Sequence, residues 1–195
     1  AQQIPTEAPG KADVTRVSAG SYTTDPNHTL VSWKVVHFGF SNYFGLFGDI
    51  TGTLQLDPKN LAASKVDITI PVSKVTTASA GLTDHLLRAG KDGAKPDFFG
   101  PNPADAKFVS TSVKANKAGK TAVITGNLTL NGITKPVTLN AAFTGAGVNP
   151  FNKKDTVGFS ANATIKRSDF GITTAIPLVT DTVDLNISVA FEKAG

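Results

Sequence analysis

The chain has 195 residues, of which 40% are hydrophobic and 17% charged, with 19 Lys and Arg against 15 Asp and Glu. A net charge of +4 without a basic run excludes the clustered charge of a nucleic-acid binder, and no apolar run approaches the roughly 18 residues of a membrane-crossing helix. Cysteine is absent, which excludes disulfides, thiolate catalysis and Cys-ligated metals.

Residues 1–19 are rich in Pro, Gly and Ala without sustained periodicity and read as a flexible leader; residues 20–195 read as the domain proper. Methionine is absent as well, so Ala1 reads as a mature N-terminus left by signal-peptide cleavage, or as an artificial chain end. A chain without oxidisable sulfur suits an oxidising compartment.

From Tyr22 onward apolar and polar residues alternate, the period-2 signature of strands with one dry and one wet face. Val31, Trp33, Val35 and His37 share one parity. An aromatic group follows (Phe38, Phe40, Tyr43, Phe44 and Phe47) around a turn-like stretch with Gly45 and Gly48. Asp57-Pro58-Lys59-Asn60 closes a hairpin, and Val66, Ile68, Ile70 and Val72 form the dry side of the next strand. The spacing of Leu82, Leu86 and Leu87 predicts a short helix over 79–89, stopped by Gly90. A Gly- and Pro-rich loop, 93–103, then carries Phe98-Phe99.

Clean alternation resumes at Ala122–Leu130, which Asn131-Gly132 turns into Val137–Phe143. Val157–Ile165 and Val183–Phe191 complete the pattern. Long strands with glycines at bends favour a closed sheet over a sandwich. The expectation is an all-β, antiparallel barrel of about eight strands, with one short helix and a loop excursion near its mouth.

No nucleophile elbow, phosphate loop, zinc motif or dinucleotide fingerprint occurs. His28 and His37 lie nine residues apart, on opposite faces of an unbroken strand, so a shared metal site is not expected. His37 and Arg167 both carry the parity of dry neighbours. Two readings stand open for them: contact with the polar end of a ligand, or a structural role, with a hydrogen-bonded His37 and with carboxylate partners (Asp169 or Asp181) or carbonyl partners for the arginine. Phe44, Phe47, Phe98 and Phe99 either pack one end of the barrel or form an apolar mouth, with Lys91 and Lys95 beside it.

The ordered motifs resemble the YceI-like family. They are Tyr22-x-x-Asp25-x-x-His28, Trp33-x-Val35-x-His37, Gly45-x-Phe47-x-x-x-x-Gly52, Asp84-His85-Leu86 and Asp97-Phe98-Phe99. Further on come Gly126-x-Leu128-Thr129-x-Asn131-Gly132, Arg167-Ser168-Asp169-Phe170-Gly171 and Asp181-x-Val183. The resemblance implies a bacterial periplasmic or secreted, lipocalin-like barrel with a tunnel for a polyisoprenoid or related long-chain amphiphile. It also places His37 and Arg167 at matching positions. The chain departs from the family pattern at Gly90–Pro96, an insertion beside the expected mouth.

The expected ligand contacts from the sheet are Trp33, Val35, His37, Phe44, Phe47, Leu54, Ile68, Ile70, Leu128, Phe143, Phe159, Ile165 and Leu185. Leu82, Leu86, Phe98, Phe99, Arg167 and Phe170 join them from the helix and loops. The expected function is binding, transport or storage of the lipid, with no enzymatic activity, no cofactor and no metal. Two rivals stand: a ligand-free barrel used as a stress-response or protein-interaction scaffold, and an enzyme with His37 as acid-base group. A homodimer is compatible with the pattern; nucleic acid and an integral membrane segment are not.

Overall fold

The alternation closes into an antiparallel barrel of eight strand positions in the computed structural model, which describes residues 3–195. The strands are β1 (Gly20–Thr24), β2 (Leu30–His37), β3 (Ser41–Phe47), β4 (Thr51–Leu56), β5 (Lys65–Ile70) and β6 (Thr76–Thr77). After helix α1 (Ala80–Leu87) come β7 (Ala106–Ala115), β8 (Thr121–Leu130), β9 (Ile133–Val148), β10 (Asp155–Lys166) and β11 (Thr182–Lys193).

The first three barrel positions are each split in two. β1 pairs with β4 while β2 pairs with β3, so β1 and β2 occupy one position and β3 and β4 the next. β5 against β4 and β6 against β3 make the third. The interruptions have local causes. Pro26 offers no N–H to a ladder, Asp49 is in the left-handed region (φ 53°), and Pro71 leads into a 3-10 turn at Val72–Lys74. β11 closes the ring, pairing with β10 along its length, with β2 from Asp184↔Lys34 to Ser188↔Leu30, and with β1 from Tyr22↔Lys193 to Thr24↔Phe191. Closure leaves few open edges.

Turn chemistry matches the sequence where it was most explicit. Asn131 and Gly132 take φ of 53° and 74°, the paired left-handed conformation of a tight hairpin, and the Asn131 amide donates to the Phe170 carbonyl at 2.9 Å. Ser79 caps α1, its hydroxyl accepting from Leu82 N–H at 3.2 Å. The loop after α1 is bound to it twice over. The Leu86 carbonyl accepts from Phe99 and Gly100 N–H, and His85 Nε2 meets the Asp97 carboxylate at 2.7 Å.

Two apolar clusters lie inside. Tyr22, Leu54, Leu56, Ala146, Val157 and Phe191 form one. Phe108, Leu128, Val137, Ala163 and Phe170 form the other. The β7–β8 turn marks one end of the barrel (the turn end), and α1 with the 167–181 segment marks the other (the helix end). Within the segment expected as a leader, Ala1 and Gln2 lie outside the described residues. Lys11 exchanges both backbone hydrogen bonds with Ala146, Val17 packs on the first cluster, and Tyr22 Oη donates to the Ser18 carbonyl at 2.7 Å.

Candidate functional site

Inside the barrel the inward side chains do not fill the available space. Ala122 of β8, Ala141 of β9 and Ala161 of β10 stand side by side in register, and Ile187 of β11 continues the row. Three methyl groups in adjacent positions cannot reach the opposite wall, where larger side chains would interdigitate. The result is a cavity of about 200 Å³. Its walls include Leu54, Ile68, Leu139 and Leu185. Ile124, Leu139, Ile187 and Val189 point inward yet are only half-buried, because they border empty space.

The cavity has one exposed rim. Among its lining residues only Ala115, Lys120 and Thr121 are exposed, and all three belong to the β7–β8 turn or its flanks. The Ser64 hydroxyl, in the wall, is buried and has no hydrogen-bond partner among the described residues. Phe143, Phe159 and Phe191 make an aromatic series along one side, with edge-on ring contacts at 6.0 and 6.3 Å.

Seven residues expected from the sequence line this cavity: Leu54, Ile68, Ile70, Leu128, Phe143, Phe159 and Leu185. The others lie elsewhere, mostly at the helix end. Trp33 covers Gly45 and leans on Tyr43 at 6.4 Å, and Val35 pairs with Tyr43. Phe47 meets Phe99 edge-on at 6.1 Å, and Phe98 meets His85 at 5.2 Å. Leu86 is buried and Leu82 half-buried on α1. Phe170 belongs to the second cluster, with Ile165 packed against it. Phe44 is exposed on the outer face, with Lys34 as its cross-strand neighbour. The aromatic residues expected to form a mouth therefore pack or decorate the helix end, and the cavity opens at the turn end.

His37 and Arg167 do not meet the cavity either. His37 is exposed at the end of β2, its ring 4.1 Å from that of Phe38. Arg167 is 6% exposed and spends its donors on four backbone carbonyls. Nε reaches Thr180 at 2.9 Å, Nη1 reaches Ile172 at 3.1 Å and Thr174 at 2.8 Å, and Nη2 reaches Val179 at 2.9 Å. Burial lowers its basicity and nearby Asp181 opposes that, while the guanidinium remains cationic. Asp181 itself accepts from the Ser168 hydroxyl at 2.6 Å and the Ser168 N–H at 2.8 Å, which hold its carboxyl below the usual range.

The sequence reading missed the alanine row. Its signal was present as small residues at inward parity on three successive strands, but bulk drew attention to the aromatic residues instead.

A family model for the YceI-like domain matches residues 22–191. Protein YceI of Shigella flexneri is 42% identical over 174 residues, covering 88% of this chain and 86% of that protein. The crystal structure of the Campylobacter jejuni YceI protein superposes with a TM-score of 0.65 at 29% identity, over 82% of this chain and 90% of that one. A polyisoprenoid-binding domain from Saccharophagus degradans, implicated in plant cell wall breakdown, shares the fold at 12% identity and a TM-score of 0.57, over 89% of this chain and 98% of that one.

Proposed function

The chain belongs to the YceI-like family, and from that premise we propose that its barrel takes up the apolar tail of a long-chain amphiphile, a polyisoprenoid, for carriage or storage. The observation that carries this reading is the cavity behind the alanine row, apolar along its walls and open at a single exposed rim. Each CH₂ withdrawn from water there contributes about 0.8 kcal/mol, so a short length of tail already gives useful affinity. The space is slender, below the several hundred Å³ usual for compact ligands, which suits a single hydrocarbon chain entering end-on.

The rim supplies what a polar end group would need. Thr121 offers a hydroxyl and Lys120 an ammonium, and the unpartnered Ser64 hydroxyl lies in the wall. Leu54, Ile68, Ile70, Leu128, Phe143, Phe159 and Leu185 contact the tail. Among the described residues, no carboxylate or histidine lines the cavity to pair with these hydroxyls, which supports binding over turnover. The absence of both cysteine and methionine supports a periplasmic or secreted location.

Native mass spectrometry of the purified protein, followed by solvent extraction, tests the reading. The expected result is a co-purifying lipid with a long hydrocarbon tail, or a thermal shift when polyprenols are added to the stripped protein. A clean apo mass with no shift from polyprenols or fatty acids would overturn it.

A further inference from the structure

At the helix end, far from the cavity rim, the protein shows water a run of large apolar side chains. Phe40 is 89% exposed, Phe44 and Leu178 are each 59% exposed, and Phe38 is 47% exposed. They come from two segments: the β2–β3 hairpin, with Phe38 and Phe40 at its turn and Phe44 on the outer face of β3, and the loop that precedes β11. Exposed apolar residues scattered singly need no explanation, but a group on one platform does.

The two segments are fastened together. Phe38 N–H donates to the Leu178 carbonyl at 2.7 Å, and Thr180 N–H to the Val36 carbonyl at 3.1 Å. Val36 N–H donates to the Thr180 hydroxyl at 3.0 Å, and His37 bridges Val179. Arg167 then anchors the loop from below through the carbonyls of Ile172, Thr174, Val179 and Thr180. The platform is therefore rigid and cannot easily fold its aromatic residues away. It also carries backbone strain in both halves, with Phe38 at φ 50° and Ala175 at φ 65°, positions where glycine or asparagine would be easier.

Charge distinguishes which partner the platform fits. Residues 35–48 and 170–180 contain no Asp, Glu, Lys or Arg, in a chain where 17% of residues are charged; the first charge on β2 is Lys34, opposite Phe44 and paired with Asp184 at 3.0 Å. Protein-binding hot spots favour Trp, Tyr and Arg inside a polar rim. A charge-free tip of Phe and Leu is what the headgroup–acyl boundary of a bilayer accepts, since a charge carried into it is costly.

We propose that the β2–β3 tip, with the Arg167-held loop behind it, docks onto a phospholipid bilayer by inserting Phe38, Phe40, Phe44 and Leu178 into its interface. This docking does not depend on what the barrel holds, and it leaves the cavity rim at the turn end facing water.

The absence of native cysteine allows a direct test. Asn42→Cys at the tip and Lys117→Cys at the turn end are each labelled with an environment-sensitive fluorophore. They are then mixed with vesicles of phosphatidylethanolamine and phosphatidylglycerol. The expected result is a blue shift with several-fold brightening at position 42 and none at 117. Phe40→Ser with Leu178→Ser is expected to lower the vesicle-bound fraction about tenfold in flotation, at an unchanged circular-dichroism melt. Equal response at both labels, no response at 42, or undiminished flotation of the double variant would overturn the proposal. So would a concentration-dependent dimer that forms without vesicles and is lost in the double variant, because the platform would then be covered by a second copy of the chain.

Discussion

Gly45 of β3 lies directly opposite Trp33 of β2, and the indole occupies the space that any Cβ at position 45 would take. The glycine is present for room, since its φ is not in the left-handed region. Gly45→Ala is therefore expected to displace the indole and cost about 1–3 kcal/mol by overpacking. Urea denaturation checks the size of the loss, and the emission of Trp33, the sole tryptophan, reports the displacement. Adding Trp33→Phe to Gly45→Ala should recover part of the stability, because the smaller ring leaves space for the methyl group.

Arg167 makes a second prediction, one that separates its two sequence-level readings. Its bonds all end on backbone carbonyls of the 172–180 loop, so Arg167→Leu strips four acceptors of a charged donor at once. A loss of about 3–5 kcal/mol is expected, with Arg167→Lys recovering little, since one ammonium cannot reach carbonyls spread around a planar guanidinium. Lipid affinity of the folded fraction should stay within about twofold of the parent. A large affinity loss with normal stability would instead make Arg167 a ligand-contacting residue.

Acid sensitivity should come partly from Asp181 and Asp184. Ser168 donates twice to Asp181, and Asp184 is held by Lys34 at 3.0 Å and Thr164 at 2.9 Å, so both carboxyls ionise below their ordinary range when folded. A depressed folded pKa contributes stability that is complete above the unfolded value near 4 and is lost as pH falls through the folded value. The melting temperature is thus expected to drop below about pH 4. The drop should be shallower in Asp181→Asn and Asp184→Asn than in the parent, as measured by calorimetry from pH 7 to 2.5.

How much of this was legible in the sequence follows strand length and parity. β8 to β11 are long and uninterrupted, so alternation fixed their faces, and Asn131-Gly132 fixed the register between β8 and β9. The first three barrel positions were harder because Pro26, Asp49 and Pro71 each break a strand, and parity does not survive a break. Arg167 stayed open between ligand contact and a structural role because its strand ends just before it. β10 ends at Lys166, and a 3-10 turn begins at Arg167, so the inward parity inherited from Ile165 no longer applied. Phe44 lay beyond parity altogether, since Tyr43, Phe44, Leu46 and Phe47 put apolar residues on both sides of β3 and do not say which side faces the interior. The cavity depends on what three strands leave unfilled, and that is visible only once their register sets Ala122, Ala141 and Ala161 side by side.

That row also gives the sharpest test of the binding site. Ala141→Leu with Ala161→Leu would extend two side chains into the cavity from adjacent strands. Because empty space is available, the overpacking penalty that such changes carry in a dense core should be small, about 1 kcal/mol or less in either direction. Polyprenol affinity should fall by more than tenfold, measured by fluorescence displacement or thermal shift on stripped protein. Asn162→Leu adds the same side chain to β10 one residue away but on the wet face, so it should leave affinity unchanged. If the double variant binds as tightly as the parent, the tail lies outside the barrel, because two added isobutyl groups and a hydrocarbon chain cannot share a space of about 200 Å³.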